Sequence, residues 1–313
     1  MNGLMLVAAD GSPQTLGALH FARHLAESRE LDAEVVTVVE PSATWLYDPA
    51  AGAAATYTGI LDAVAESRRS AVRNQLSAVG GAADRWPVRV VVGPRSLAIA
   101  GHAESSGARL IVMGSGRHTW VDRWLGRETV LDMIRVTRVP VVSVPADTRQ
   151  LPRKALVATD FSEQSLEAAR FGVRLLASEA EIHLVHVSWT PAVDVAAASL
   201  GAWTATYEAG ARVRLEEAAR ELEGPGRTVR VHLLSGELSD ELLSFAQRER
   251  VDLIVSGSHG YGFVTRVILG SVSTQLVRGA RCPVLVSPHR ASSALRAKEM
   301  DEEELHLIAD GHR

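Results

Sequence analysis

The stretch from Gly257 to Ser271, GSHGYGFVTRVILGS, contains four glycines and directly follows the apolar run VDLIVS. Glycine lets a backbone approach a ligand closely and adopt positive φ angles. A helix that opens at Gly270 and Ser271 adds unpaired backbone N–H groups and the positive end of its dipole. Together these features predict a site for phosphate groups.

The spacing separates this loop from two other phosphate-binding loops. Gly257 is followed after two residues by Gly260, and nine further residues lead to Gly270-Ser271. The loop has neither the Gly-Lys-Ser/Thr ending of a Walker loop nor the Gly-x-Gly-x-x-Gly pattern of dinucleotide-binding folds. On spacing alone, the class of phosphate ligand stays open.

The chain carries a second, altered copy of this loop, because the sequence is a tandem duplication. An offset of 143 positions lays ARLIVMGSG over VDLIVSGSH and RVPVVSVP over RCPVLVSP, and an offset of 150 lays LVAADGS over LVATDFS. Self-similarity at a fixed offset is the signature of a repeated structural unit. We therefore predict a first domain over 1–147, a second over 151–290 and a charged C-terminal tail over 291–313.

Each half alternates short apolar runs with helical patterns. In the second half KALVATD, IHLVHVSW, TVRVHLLSG, VDLIVSG and CPVLVS read as strands, with a helix in SDELLSFAQRER capped by Ser239 and another over about Ser271 to Arg278. This alternation predicts α/β domains, each a doubly wound parallel sheet of five strands. Such sheets bind ligands beyond the carboxyl ends of their strands, where Asp160, Val187 and the glycine loop would meet.

Composition narrows the class of protein. The 313 residues are 46% hydrophobic and 22% charged, with a net charge of −4. This balance gives no electrostatic reason to expect a nucleic acid or an anionic membrane as partner. The N-terminus lacks the pattern of a signal peptide, so a cytoplasmic location is expected. The single cysteine, Cys282, excludes an internal disulfide and a cysteine-clustered metal site.

The glycine pattern, preceded by DLIV and followed by CPVLV, resembles the ATP-binding motif of the universal stress protein family. The openings VAADGS and VATDFS are also typical of that family, and the resemblance covers both halves, from Leu4 to Pro288. It implies adenine-nucleotide-binding domains with the adenine nucleotide alpha hydrolase-like fold. Family members dimerise through the last strand, so the two halves are expected to form a pseudo-dimer within one chain; a homo-oligomer is the alternative.

Transferred position by position, the resemblance implies an ATP site in the second domain, with Mg²⁺ on the phosphates and no metal ligand from protein side chains. Ala158 and Asp160 would lie against the adenosine, and the backbone of Val187 would meet the adenine edge. His259 stands where the family often has an arginine. The residues expected to wrap the phosphates are Gly257, His259, Gly260, Gly270, Ser271 and Val272, with a hydroxyl from Ser273.

The first domain departs further from the family pattern. Arg117 replaces the second glycine, and Arg127-Glu128 lie over Gly270-Ser271. A bulky side chain where the backbone must approach a phosphate, and a carboxylate close to the anion's position, disfavour a triphosphate. The positions that remain predict only a weak or vestigial site: Ala8, Asp10, Val39, Gly114 and Gly126.

Structural explanations also exist for some of these residues. Asp160 could cap the helix that begins near Ser162. His183 and His186 are three apart in a strand and so lie on opposite faces, which argues against a chelating pair. No arrangement of catalytic residues stands out. We therefore expect a stress-response protein that binds ATP through its second domain and acts as a nucleotide-dependent regulator or sensor of an unknown protein partner, and not a dedicated enzyme. The alternatives are a nucleotide-independent interaction or chaperone-like module and a slow ATPase.

Overall fold

The computed structural model describes residues 3–41, 53–115, 120–188, 197–258 and 270–288. The predicted tail 291–313 lies outside the described residues, as do Arg117, His259 and Gly260. The strands are β1 (Leu4–Ala8), β2 (Asp32–Val39), β3 (Val88–Val92), β4 (Leu110–Ser115), β5 (Val141–Pro145), β6 (Lys154–Ala158), β7 (Ala180–Ser188), β8 (Arg227–Ser235), β9 (Leu253–Gly257) and β10 (Val284–Ser287). The helices are α1 (Leu16–Arg29), α2 (Ala53–Val79), α3 (Arg95–Ser105), α4 (Trp120–Val136), α5 (Glu163–Gly172), α6 (Ala197–Leu222), α7 (Leu238–Arg248) and α8 (Ser271–Gly279).

The described strands form a single sheet in the order β3-β2-β1-β4-β5-β10-β9-β6-β7-β8. Neighbouring strands are parallel within each half, and the only antiparallel pair among them is β5 with β10. Each half thus repeats the same order of five strands, with the order reversing at its first strand. The predicted fold class, two tandem doubly wound α/β domains, is confirmed.

The strands are buried because helices cover both faces of the sheet. In β1, for example, Met5, Leu6 and Val7 have no exposed surface. Burying one aliphatic side chain of this size contributes about 1.5–3 kcal/mol. One apolar layer lies under α1, α2, α5 and α6, and the other lies under α3, α4, α7 and α8. Each layer runs through both halves, so the two domains share a continuous core.

The two halves meet at their last strands, as expected of a pseudo-dimer within one chain. In the antiparallel pair Val284 lies opposite Ser143, and Val286 lies opposite Val141. An ion pair adds to this contact, because Arg278 Nε on α8 donates to Glu128 Oε1 on α4 at 3.0 Å. The expectation that the Glu128 carboxylate lies close to an anion's position in its own domain is therefore wrong: it reaches into the other domain.

Helix starts follow local chemistry, with one difference from prediction. The N-cap of α7 is Glu237, whose side chain accepts a hydrogen bond from Asp240 N. Ser239, the predicted cap, is 1% exposed and lies one turn further into the helix. The start of α8 at Ser271 agrees with prediction, because an extended Gly270 precedes it and no side chain caps it.

Candidate functional site

A cavity of about 350 Å³ opens at the carboxyl ends of β6, β7 and β9 in the second domain. It lies where the strand order reverses, because β6 has β7 on one side and β9 on the other. The structure brings most of the predicted nucleotide residues together in its lining. These are Ala158, Asp160, Val187, Gly257, Gly270, Ser271, Val272 and Ser273. The roles of His259 and Gly260 stay predictions, since both lie outside the described residues.

Asp160 forms a tight turn between β6 and α5. Its Oδ1 atom accepts hydrogen bonds from Ser162 N at 3.0 Å and from Ser162 Oγ at 2.5 Å. Ser162 is itself the N-cap of α5, and its Oγ accepts from Ser165 N at 3.2 Å. Asp160 therefore supports the helix cap without being the cap. At the same time it borders the cavity, so its structural and ligand-facing roles are compatible.

The first turn of α8 supplies the anion-binding element of the cavity. The earliest N–H groups of an α-helix have no intrahelical partner. Gly270 has no side chain with which to cap those of Ser271 and Val272, and the first turn carries no acidic residue. Gly270 N donates to Ser258 O at 3.0 Å, which holds the entry to the helix against β9. Uncapped donors and the positive end of the helix dipole thus border the cavity.

Ser273 borders the cavity in a different way from the one expected. Its side chain is only 2% exposed, and its Oγ donates to Gly257 O at 2.8 Å. The hydroxyl proton is therefore directed to the backbone at the end of β9. In this arrangement Ser273 positions Gly257 and the start of α8 relative to each other.

Two aromatic residues beside the cavity were not recognised as site residues from the sequence. His186 Nδ1 lies 2.8 Å from Thr159 O, and its Nε2 lies 2.8 Å from the Tyr207 hydroxyl. Burial lowers the pKa of His186, and a neutral ring that donates from Nδ1 satisfies both contacts. The Phe161 ring lies 4.4 Å from the His186 ring, centroid to centroid. The alternation of β7 predicted a packed His186, but no local signal pointed to these partners.

His183 faces away from His186, as predicted. Its Nδ1 atom lies 2.9 Å from His232 Nε2, and its ring contacts Phe245 of α7. Searching the described residues finds no group of three or more His, Cys, Asp or Glu side chains able to hold a metal ion. Nor does any helix among them combine the length and apolarity that crossing a membrane requires.

The first domain has a corresponding cavity of about 290 Å³ at the ends of β1, β2 and β4. Ala8, Asp10 and Gly114 line it, as predicted. Asp10 repeats the turn of the second domain, because its Oδ1 accepts from Ser12 N at 2.9 Å. Gly114 also has a packing role, since a Cβ there would lie 2.5 Å from Gln14 O.

Two predicted positions of the first domain lie elsewhere. Ala8 pairs with Val36 and Ala158 pairs with Val185, so the counterpart of Val187 is Val38, which lines the cavity, and not Val39. A slip of one residue moves a strand side chain to the opposite face of the sheet. Gly126 lies inside α4, which begins at Trp120, and so it does not open a helix as Gly270 does.

Comparisons with known proteins agree with this architecture. A family model described as "Universal stress protein family" matches residues 1–145 and again 152–288. A universal stress protein of Methanocaldococcus jannaschii is 30% identical over 149 residues, covering 46% of this chain and 86% of the relative. One from Mycolicibacterium smegmatis is 26% identical over 300 residues, covering 90% of this chain and 96% of the relative.

Among solved structures, a universal stress protein from Archaeoglobus fulgidus superimposes with a TM-score of 0.64 at 23% identity, over 92% of this chain and 96% of that one. That similarity supports the fold. The two family-model matches together span most of the sequence. The chain belongs to the universal stress protein family and carries two copies of its domain in tandem.

Proposed function

We propose that the second domain binds ATP, with Mg²⁺ on the phosphates, and that the bound nucleotide regulates the contact of this protein with a partner. The observation that carries the proposal is the cavity of about 350 Å³ that joins the Asp160 turn to the uncapped start of α8. One end of this cavity accepts donors, whereas the other end offers backbone donors to an anion. A nucleotide has the complementary arrangement of ribose hydroxyls and phosphates.

The apolar part of the lining fits the base. Val185, Val187, Leu238 and Leu242 border the cavity between the two polar ends. Apolar walls with a few placed polar groups are typical of sites for small molecules. The resemblance places the adenine edge at the backbone of Val187. His259 and Gly260, which follow Ser258 in the chain, complete the phosphate site in this proposal.

The regulatory part of the proposal rests on the position of α8 between the cavity and the other domain. Its first residue, Ser271, borders the cavity, while Arg278 in its last turn pairs with Glu128 of the first domain. A ligand that holds the start of α8 also restrains the joint between the domains. We assign the protein no dedicated enzymatic activity and place it in the cytoplasm as parts of the same proposal.

Substitution at Ser271 separates the backbone contribution from that of the side chain. Proline is tolerated at the first position of a helix but has no N–H to donate. Gly270, with ψ of 146°, already has the extended conformation that a residue before proline requires. Ser271→Pro should therefore keep the fold and remove one phosphate donor, whereas the matched control Ser271→Ala keeps that donor.

Calorimetric titration of the full chain with MgATP tests the proposal. We expect Ser271→Pro to weaken binding about tenfold to a hundredfold, because a hydrogen bond to a charged group contributes about 1.5–3 kcal/mol. Ser271→Ala should change the affinity by less than about threefold, since the N–H donor remains. Absence of binding by the unaltered chain at millimolar MgATP would overturn the proposal. Equal weakening by both variants would overturn the role given to the backbone.

A further inference from the structure

The cavity of the first domain is bordered by two arginines that its sequence pattern does not reveal. Arg68 comes from α2 and Arg95 opens α3, and both line this cavity. Helices α2 and α6 end 143 positions apart, as do the starts of α3 and α7, so the corresponding residues are Ala211 and Leu238. The second domain therefore lacks both charges. The first domain carries cationic side chains that its twin does not have.

Both guanidinium groups are held close to the Asp10 turn or to the strand beside it. Arg68 Nη1 donates to Asp10 O at 3.0 Å. Arg95 Nη2 donates to Glu40 Oε2 at 2.9 Å, and Arg95 N donates to Glu40 Oε1 at 3.1 Å. The side chains of Arg95 and Glu40 are 49% and 48% exposed, and exposed ion pairs of this kind contribute only about 0–1 kcal/mol. Each guanidinium has five N–H donors, so donors remain for a ligand.

The anion-binding element of the second domain has no equivalent here. Helix α4 begins at Trp120, eight positions before Glu128, the counterpart of Ser271. The helix start is thus displaced from the position that would hold a phosphate chain. Two arginines at the rim provide a different kind of contact, because guanidinium groups bind the oxygens of a single phosphate or carboxylate well.

The remaining lining resembles that of the second domain. Val36, Val38, Ile99 and Met113 supply an apolar wall, and Asp10 supplies a carboxylate beside it. A ligand that fits all three regions has an apolar ring, hydroxyl groups and one compact anionic group. We propose that the first domain binds a nucleoside monophosphate, with Arg68 and Arg95 holding the phosphate and Asp10 facing the ribose. This inference goes beyond ATP binding by the second domain and does not depend on it.

Met113 provides a probe that is specific for this cavity. The chain has five methionines, and Met113 is the one that lines the first cavity, whereas none lines the second cavity among its described residues. The methyl group of Met113 can be labelled with ¹³C in the full chain and assigned with Met113→Leu. Met5 and Met133 are fully buried and serve as internal references. A ligand in the first cavity should move the Met113 resonance and leave these two in place.

The experiment titrates the labelled full chain with AMP, adenosine and inorganic phosphate in separate arms. We expect AMP to shift the Met113 resonance in a saturable way, with adenosine and phosphate each at least about tenfold weaker, because each lacks part of the contact. Arg68→Ala/Arg95→Leu, which installs the residues of the second domain, should weaken AMP about tenfold or more. The matched control Arg69→Ala/Arg135→Leu removes two exposed arginines elsewhere and should bind AMP as the unaltered chain does.

Three results would overturn the inference: no Met113 shift at millimolar AMP, an equal shift with phosphate alone, or unchanged AMP binding by the Arg68/Arg95 variant. Failure here is distinguishable from failure of the proposed function. The Met113 shift should persist in Ser271→Pro, whereas the calorimetric response to MgATP should weaken in that variant alone.

Discussion

The two domains share a turn and a cavity, but they differ in what surrounds each turn. In the first domain Gly11 has φ of 83°, and a Cβ there would lie 2.6 Å from the Ala71 side chain. In the second domain Phe161 takes the same place with φ of 64°, and the Arg214 guanidinium lies 4.4 Å above its ring. Ala71 and Arg214 are 143 positions apart. Two small residues in one half are therefore matched by two large residues in the other.

This exchange shows which part of the unit is constrained. The aspartate and the serine two residues later form the same hydrogen bond in both halves. The residue between them and its neighbour on the following long helix changed together, because either large side chain alone would clash or leave a void. The backbone of the turn was kept while the surroundings of each cavity diverged. Each cavity could thus acquire its own ligand preference.

The largest expected effect is at Phe161. Phe161→Ala should lower the free energy of unfolding by about 3 kcal/mol, because truncating a buried phenylalanine costs about 3–5 kcal/mol. Phe161→Gly should be less destabilising by about 1 kcal/mol, since glycine adopts the left-handed conformation without strain. Urea unfolding of both variants measures the difference. A more stable alanine variant would show that this turn does not require a positive φ angle in the second domain.

An intermediate effect is expected from pH. Burial lowers the pKa values of His183, His186 and His232, and for His183 the Glu181 carboxylate opposes this effect. The folded state then binds fewer protons than the unfolded state below the ordinary histidine value of 6.5, so stability is retained above that pH and lost as the pH falls below it. At the positions corresponding to His183, His186 and His232 the first domain has Glu34, Thr37 and Arg89.

Hydrogen exchange measured by mass spectrometry, corrected for the intrinsic pH dependence, resolves this prediction by domain. Protection in β7 and β8 should fall on acidification more than protection in β2 and β3. The lowered pKa of His20 on α1 makes that helix unsuitable as a reference. Equal loss of protection in both pairs of strands would contradict the assignment of acid sensitivity to the second domain.

The smallest expected effect is at the ion pair between the domains. The side chains of Arg278 and Glu128 are 49% and 29% exposed. Glu128→Gln should lower the free energy of unfolding by only about 0.5 kcal/mol, and less at high salt, because solvent and ions screen such pairs. Urea unfolding at low and high salt checks this value. A loss of several kcal/mol would mean that the joint depends on this pair and not on the strands β5 and β10.

The sequence was sufficient for features that depend on local patterns. Alternating apolar runs and helical periodicity predicted two five-stranded domains, and the internal repeat located their join. The start of α8 at Ser271 followed from an adjacent glycine and serine, which act within one turn of chain. Most of the second cavity was predicted as well, because its residues lie at strand ends that a parallel sheet brings to one edge.

Other features were decided only by tertiary structure. The choice of Val38 over Val39 depends on the register between β1 and β2, which a one-residue slip reverses. The direction of the Ser273 hydroxyl depends on how α8 packs against β9. Arg68 and Arg95 reach the Asp10 turn from two separate helices, so no spacing along the chain associates them. The sequence by itself determined the repeated unit and the edge of the sheet where each cavity forms. Packing between distant elements decided which charges border each cavity.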